Sequence, residues 1–225
     1  MYLRIPKLLD EESLKLVDGL AAAGQFSDGA ATTGAPTKSV KNNLQINFAE
    51  HPQRDQFLQM MTKTVNSNSM MRSAALPKRM TFPMLSKYET GMSYGWHIDN
   101  PIMSSMGNPT RTDIACTVFI SDSSEYEGGE LIVRSSSGDV RVKLERGDAF
   151  IYPATSRHQV LEVTSGARIA VVFWIQSIVA DANKREVLHD LGVAYDRILK
   201  EAPDSEALQY IQRSQTNLLR RWGQV

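Results

Sequence analysis

Cysteine is nearly absent from this sequence, since its 225 residues include only Cys116. This residue lies within the apolar run ACTVFI, so an intrachain disulfide is impossible and a buried, unreactive thiol is predicted. An excess of either charge is absent too, because Lys plus Arg and Asp plus Glu number 25 each. The balance argues against nucleic acid or an anionic membrane surface as a partner, since both attract basic proteins.

Long apolar runs are also missing. Nothing approaches the roughly 18 consecutive apolar residues of a membrane span. The opening stretch MYLRIPKLLDEESLKLV carries charges where a signal peptide needs a continuous apolar segment. Hydrophobic residues nevertheless make up 42% of the chain, which is enough for one substantial core. We therefore expect a soluble, cytoplasmic protein.

The sequence pattern changes twice, which divides the chain into three regions. They are an N-terminal helical region packing on the core, residues 1–78; a β-rich domain, 79–178; and a C-terminal helical extension, 179–225. In the extension, an apolar stripe recurs at helical spacing: Leu208, Ile211, Leu218, Leu219 and Trp222. We expect this stripe to be buried against the core or a second subunit, so the C-terminal helices could form a homo-oligomer.

Two helices are predicted in the N-terminal region. One should follow Asp10, a suitable N-cap, and the other should lie within 53–75, where apolar residues form a stripe. Between them, residues 27–43 are rich in Gly, Ser, Thr and Asn. That composition predicts a loop, which could overhang a functional site.

Residues 79–178 contain short β-rich runs in quick succession. They read MTFPMLSKY, DIACTVFI, GGELIVRS, DVRVKL, AFIYP, HQVLEV and RIAVVFWIQSIV. Gly, Asp and Ser clusters separate them at the spacing of an all-β sandwich or barrel. RIAVVFWIQ is apolar on both faces, which predicts a central strand covered on both sides. With the helical flanks, the pattern predicts an α+β fold.

Two of the four histidines have companions that suggest a metal site. His97 and Asp99 are two residues apart, so on a strand their side chains point to one face, about 7 Å apart. His158 opens a later predicted strand. Two imidazoles and one carboxylate form the triad that suits non-haem Fe(II), because three coordination positions stay open. We predict that these three residues bind the metal, and we assign no role to His51 or His189.

Arg168 follows His158 by ten positions, within the predicted central strand. Burying an arginine is costly unless a carboxylate meets it. Because side chains alternate between the two faces of a strand, Arg168 shares a face with Ala170, Val172 and Trp174. If that face points inward, the planar guanidinium can hold the distal carboxylate of 2-oxoglutarate. The α-keto acid at the other end would take two open positions on the iron and leave the last for O2.

Other functions fit parts of this pattern. Zinc hydrolases also use two His and one acid, but usually at His-Glu-x-x-His spacing, which is absent here. A cupin-like metal-binding or sensor barrel is the main alternative, although it has no evident need for a dicarboxylate anchor at Arg168. Halogenases of this class replace the carboxylate ligand with a small residue, so Asp99 argues against them. An isomerase or sugar-binding barrel has only the fold in its favour.

Several segments together resemble the PKHD-type hydroxylases, a bacterial branch of the Fe(II)/2-oxoglutarate dioxygenases related to prolyl and lysyl hydroxylases. The segments are YETGMSYGWHIDN, RTDIACTVFIS, YEGGEL and HQVLEVTSGARIAVVFWIQS, with VKNN and NLLRRWGQV in the flanks. The resemblance covers nearly the whole chain. It implies a double-stranded β-helix, or jelly roll, with His97, Asp99 and His158 as iron ligands and Arg168 as the 2-oxoglutarate anchor.

The resemblance also implies a co-substrate contact for Tyr88 and L-ascorbate as auxiliary reductant. It leaves the hydroxylated substrate open, either a peptidyl residue or a small molecule such as a siderophore. Asn100 and the 27–43 loop are candidates for the rim of the site. Tyr94 and Trp96 alternate out of phase with His97, so we expect both to pack on the opposite face.

Overall fold

The computed structural model describes residues 1–24, 26–32, 38–49, 51–105 and 107–224. Their α-helices are α1, Glu11–Ala23; α2, Arg54–Ser67; α3, Ser69–Ala75; α4, Ala182–Glu201; and α5, Ala207–Trp222. The strands are β1 Leu3–Ile5, β2 Phe26–Asp28, β3 Lys41–Asn42, β4 Leu44–Ile46, β5 Pro77–Met80, β6 Met84–Glu89, β7 Ser93–His97, β8 Ile102–Ser105, β9 Asn108–Arg111, β10 Ile114–Phe119, β11 Tyr126–Gly128, β12 Leu131–Ser135, β13 Gly138–Val142, β14 Ala149–Pro153, β15 His158–Val160 and β16 Val163–Ser177.

Two antiparallel sheets form the centre of the molecule. The larger has the order β1-β14-β10-β16-β6-β4-β2, and β5 and β11 also pair with the long strand β16. The smaller has the order β13-β12-β15-β7-β3, and β8 and β9 form a separate hairpin. All seven predicted β-rich runs contain strands, and β16 is central as expected. The prediction of an α+β fold around a jelly-roll core is confirmed.

The large sheet is covered on both faces, which explains why its central strand is apolar throughout. One face packs on α1, α2 and α3 through buried residues such as Val17, Phe57 and Phe173. The other face meets the small sheet, where Phe119 and Val163 lie in one apolar cluster with Val133 of β12. Side chains alternate along β16, so neighbouring residues belong to different layers. The polar residues of the site lie between the two sheets.

The N-terminal helices form where the sequence predicts them. Asp10 caps α1 by accepting a hydrogen bond from the Ser13 amide at 2.9 Å, and Leu14, Val17 and Leu20 of this helix are buried. The second predicted helix is divided in two, because Asn68 ends α2 and caps α3 by accepting from the Met71 amide. Cys116 is buried, as expected, and burial raises the pKa of its thiol.

The loop predicted for residues 27–43 is only partly correct. Strand β2 pairs with β4, a short 3-10 helix spans Gly29–Thr32, and β3 pairs with β7. Residues 33–37 lie outside the described residues. Edge strands of two or three residues form through backbone hydrogen bonds, which almost any side chain permits, so a composition rich in Gly, Ser, Thr and Asn does not exclude them. The segment therefore belongs to the wall of the barrel and joins its two sheets.

The C-terminal helices pack on each other, and α4 also packs on α3. The predicted burial of the apolar stripe holds for Leu208. The other four members of the stripe are half-buried: Ile211, Leu218, Leu219 and Trp222. No helix within the described part of the chain is both long and apolar enough to cross a membrane.

Candidate active site

His97, Asp99 and His158 meet between the two sheets. His97 ends β7 and His158 begins β15, and the two residues are direct cross-strand partners, so their ring centroids lie 4.1 Å apart. Asp99 follows the end of β7 in irregular backbone, and its Oδ1 lies 3.9 Å from His97 Nε2 and 3.7 Å from His158 Nε2. All three potential ligand atoms lie within 4.8 Å of one another, close enough for one metal ion.

Hydrogen bonds orient all three side chains. The Nδ1 of His97 lies 2.8 Å from the Gly95 carbonyl, and that of His158 lies 3.1 Å from the Ser156 carbonyl. A carbonyl only accepts, so each Nδ1 carries the proton and each Nε2 keeps its lone pair toward the site. Trp174 Nε1 donates to Asp99 Oδ2 at 2.8 Å, which leaves Oδ1 facing the two rings.

The protonation states of the triad suit metal binding. Burial lowers the pKa of His97 to about 4, with the neighbouring His158 adding to the effect, and it lowers that of His158 to about 4 as well. Burial also raises the pKa of Asp99 to about 6, against the hydrogen bond from Trp174. At neutral pH the imidazoles are therefore neutral and the carboxylate is mostly ionised, as metal ligands must be.

Arg168 is the largest fully buried side chain, with 1% of its surface exposed. Its guanidinium carbon lies 5.3 Å from the ring centroids of both Tyr88 and Phe119. Within the described part of the chain, its Nε and Nη2 have no hydrogen-bond partner. A buried cation with two such nitrogens is costly, and a bound carboxylate would offset that cost. The site therefore favours an anionic ligand.

The glycines of the YEGGEL turn leave room for this side chain. Gly128 and Gly129 have φ of 70° and 64°, a backbone conformation that glycine adopts readily. A Cβ on Gly129 would lie 3.1 Å from Cδ of Arg168 and 2.9 Å from a methyl group of Val163. Glycine at this position therefore leaves the space that the Arg168 side chain occupies.

Tyr88 lies opposite Arg168 in the pairing of β6 with β16. Its side chain is buried, and burial raises the pKa of its hydroxyl to about 12, against the opposing effect of the nearby Arg168 charge. The phenol therefore stays protonated at neutral pH and can donate a hydrogen bond to an anion.

A cavity of about 450 Å³ connects the triad to Arg168, and all five predicted site residues line it. Its size falls within the range of small-molecule sites, roughly 300–1,000 Å³. Asn100, a predicted rim residue, lines the cavity and is exposed. His51 and His189 lie elsewhere: His51 accepts from the Gln53 amide at 3.2 Å, and His189 pairs with Ser73 at 2.9 Å.

The expectation that Tyr94 packs on the opposite face is wrong. Its ring stacks on His97 with centroids 3.6 Å apart, and it lines the cavity. The pairing of β7 with β15 shifts register at this point, so three steps along β7 match two along β15 and Tyr94 turns to the same side as His97. Trp96 does not line the cavity, and the guanidinium carbons of Arg134 and Arg157 lie 4.5 and 5.4 Å from its ring centroid.

Other residues of the site were missed from the sequence. Lys41, Asn43 and Gln45 line the cavity, and so does Tyr152, whose ring meets His158 edge-on at 5.1 Å. Lys41, Asn43 and Gln45 occupy every second position of the segment VKNNLQ. Polar residues at this spacing are typical of a strand with one polar face, so the pattern could have indicated these three residues.

Comparison with known proteins identifies the family. The model of the 2OG-Fe(II) oxygenase superfamily matches residues 83–176. A PKHD-type hydroxylase of Paraburkholderia phytofirmans is 40% identical over 229 residues, and one of Saccharophagus degradans is 37% identical over 227 residues. Both alignments cover all of this chain and all of the relative.

A solved structure shows the same fold at lower identity. It is a prolyl hydroxylase of Trichoplax adhaerens, in complex with a peptide fragment of the hypoxia inducible factor oxygen degradation domain. The alignment has a TM-score of 0.59 and 16% identity, and it covers 83% of this chain and 86% of the other. This likeness shows the fold, and the full-length relatives confirm the family resemblance. The chain is an enzyme that belongs to the PKHD-type hydroxylases, within the 2OG-Fe(II) oxygenase superfamily.

Proposed function

We propose that His97, Asp99 and His158 bind Fe(II), and that Arg168 and Tyr88 bind the distal carboxylate of 2-oxoglutarate. The buried Arg168 carries this proposal, because it lines the same cavity as the triad and two of its nitrogens have no hydrogen-bond partner among the described residues. A dicarboxylate with one end at the metal and the other at Arg168 fits that arrangement.

The protein residues hold and orient the two bound groups. The Gly95 and Ser156 carbonyls fix the imidazoles, and Trp174 fixes Asp99, so the three ligands converge before the metal arrives. At the other end of the cavity, Arg168 supplies a positive charge and Tyr88 a hydroxyl donor. The surrounding apolar cluster keeps water from that charge pair, which strengthens it.

The chemistry itself comes from the bound iron and 2-oxoglutarate, which with O2 hydroxylate a C–H bond and release succinate and CO2. The primary substrate in this proposal is a peptidyl residue or a small molecule such as a siderophore. We also propose L-ascorbate as the auxiliary reductant, as the family resemblance implies, and a cytoplasmic location. We assign the chemistry to residues 79–178, and we assign supporting roles to the flanks 1–78 and 179–225.

The second candidate is a cupin-like metal-binding or sensor barrel without oxygenase activity. The three metal ligands alone would suit such a metal-binding barrel equally well. It does not account for Arg168, since a sensor that binds only a metal gains nothing from a buried guanidinium.

The test is succinate formation from 2-oxoglutarate in air, with Fe(II) or Zn(II) and without added substrate. We expect slow, Fe(II)-dependent formation of succinate in the wild type, because uncoupled turnover needs only the metal and the co-substrate. The variant His158→Ala should lose this activity. His189→Ala is the matched control, since it removes a histidine outside the site, and it should retain the activity. Metal binding without succinate in the wild type would favour the sensor barrel.

A further inference from the structure

The hairpin of β8 and β9 lies outside the two main sheets and borders the cavity. Among the described strands, β8 and β9 pair only with each other. Ile102, Met103 and Ser104 are consecutive residues of β8, and all three line the cavity. Neighbouring side chains of a strand point to opposite faces, so three residues in a row line a cavity where the strand turns its edge to it.

The hydrogen bonds of this hairpin leave part of the β8 backbone facing outward. The Thr112 amide donates to the Pro101 carbonyl at 3.0 Å, just before β8 begins. Hydrogen-bonded and non-hydrogen-bonded residue pairs alternate along an antiparallel ladder, so Ile102 and Ser104 hold non-hydrogen-bonded positions. Their N–H and C=O groups therefore point away from β9. Pro109 lies opposite Ser104, which agrees with this register because proline has no N–H to donate.

The outward edge of β8 is open to solvent. Ile102 is 62% exposed, and Ser104 is exposed as well. No other described strand pairs with this edge, which presents two N–H and two C=O groups at a spacing of two residues. Proteins usually protect such an edge with charged residues or proline, but β8 reads IMSS and has neither. The edge is therefore suited to pair with another extended chain.

This edge lies at the opening of the cavity. The residues that line the cavity and are also exposed mark that opening, and they include Ile98, Asn100, Ile102 and Ser104. Ile102 follows Asp99 by three residues, so their Cα atoms are at most about 11 Å apart. A strand added about 4.8 Å from β8 would run across the opening, where its side chains can enter the cavity.

Two apolar side chains flank the same opening. Ile98 is 55% exposed and lies in sequence between His97 and Asp99, and Ile102 begins β8. Both line the cavity. Exposed apolar groups beside a binding cavity favour a partner that covers them with apolar groups of its own.

We infer that the primary substrate is a polypeptide in extended conformation, which pairs with the free edge of β8 as an added strand. Apolar side chains of this polypeptide contact Ile98 and Ile102. The inference rests on the proposed function and narrows its substrate class to a peptidyl residue. A compact small molecule lacks the row of alternating backbone donors and acceptors that the β8 edge matches.

The test uses wild-type protein loaded with Mn(II) and 2-oxoglutarate, and a bead-bound library of random nine-residue peptides. The peptide that binds most tightly is synthesised again, with its backbone nitrogens methylated one at a time. Only every second residue of a strand turns its N–H toward a given neighbour. Methylation should therefore weaken binding at least tenfold at two alternate residues, and it should change binding little at the residue between them, as measured by calorimetry.

Two substitutions of Ser104 test the edge from the side of the protein. Ser104→Pro removes the outward N–H and leaves the hydrogen bonds to β9 in place, so it should weaken binding of the selected peptide at least tenfold. Ser104→Ala is the matched control, because it removes the same hydroxyl but keeps the N–H, and it should bind the peptide as the wild type does. Tm checks the fold of Ser104→Pro. If Tm is lowered, the methylation pattern decides, since it is measured on the wild type alone.

Several results would overturn this inference. They are a library from which the wild type selects no peptide, a methylation pattern without alternation, and unchanged peptide affinity in a folded Ser104→Pro variant. The visible absorption band of wild-type protein with Fe(II) and 2-oxoglutarate, recorded without O2, separates the two proposals. A band without a selected peptide rejects only the substrate class, whereas no band rejects the proposed function itself.

Discussion

Replacing Arg168 with leucine is the most discriminating change in the cavity. The substitution removes the charge and keeps comparable bulk between the rings of Tyr88 and Phe119. Affinity for 2-oxoglutarate should fall by about 3–5 kcal/mol, because a desolvated carboxylate then lacks its partner. That loss corresponds to roughly a 150- to 5,000-fold increase in Kd. Iron affinity should stay the same, since the three metal ligands are untouched.

The assay is an anaerobic titration of the Fe(II)-loaded protein with 2-oxoglutarate, followed by visible absorption. Pyruvate serves as a second ligand, because it is an α-keto acid without the distal carboxylate. Its affinity should change little on Arg168→Leu. The variant Arg168→Lys should fall between wild type and Arg168→Leu, since lysine keeps the charge but loses the planar fork.

A second buried arginine provides a matched control. Arg185 has 3% of its surface exposed and donates to the carbonyls of Val179 and Ala180, both at 2.7 Å. Arg185→Leu should lower Tm, because it leaves these carbonyls without a donor, and it should not change 2-oxoglutarate affinity. Arg168→Leu should leave the Tm of the ligand-free protein unchanged or raise it. Loss of iron binding with unchanged 2-oxoglutarate affinity in Arg168→Leu would refute the reasoning, since Arg168 would then be structural.

Three further predictions concern the metal site and the C-terminal helices. Trp174→Phe should weaken Mn(II) binding by about 10- to 100-fold, because Asp99 loses its hydrogen bond; an equal affinity in calorimetry would contradict this. Mn(II) affinity should be constant above about pH 7 and fall about tenfold per pH unit below pH 6, because the Asp99 pKa of about 6 makes protons compete with the metal. A flat profile down to pH 5 would be inconsistent with this ligand set. Deleting residues 204–225 should lower Tm or change the oligomer size, since Leu208 is buried; an unchanged melting curve and elution volume would show the tail to be a free appendage.

The grouping of the site residues could be predicted from the sequence because it depends on strand periodicity. His158 begins a strand and Arg168 lies on a central strand. Side chains alternate between the two faces of a strand, so the face on which each side chain lies could be inferred from the sequence. The structure brings both to one cavity with His97 and Asp99. Asp99 itself lies just beyond the end of β7, so its approach to the two rings depends on local backbone that the strand rule does not describe.

The other site residues and the short strands depend on contacts between distant segments, which the pattern of a single sequence does not encode. Tyr94 was misplaced because a register shift against β15 turns it to the metal side, and only the partner strand reveals such a shift. Lys41 was missed because its place in the cavity arises from the pairing of β3 with β7 at the edge of the small sheet. Short strands such as β1 and β2 gave no periodic signal, since three residues are too few to show alternation.

The central claim is that the three clustered side chains hold iron in contact with 2-oxoglutarate. An anaerobic titration of the metal-free protein with Fe(II) in excess 2-oxoglutarate tests it directly, because an α-keto acid chelated to Fe(II) gives a weak visible charge-transfer band. We predict that this band develops to saturation at one Fe(II) per chain and does not form in a variant lacking His97, Asp99 and His158. Saturable Zn(II) binding by a wild-type protein that gives no band with Fe(II) and 2-oxoglutarate would contradict the account.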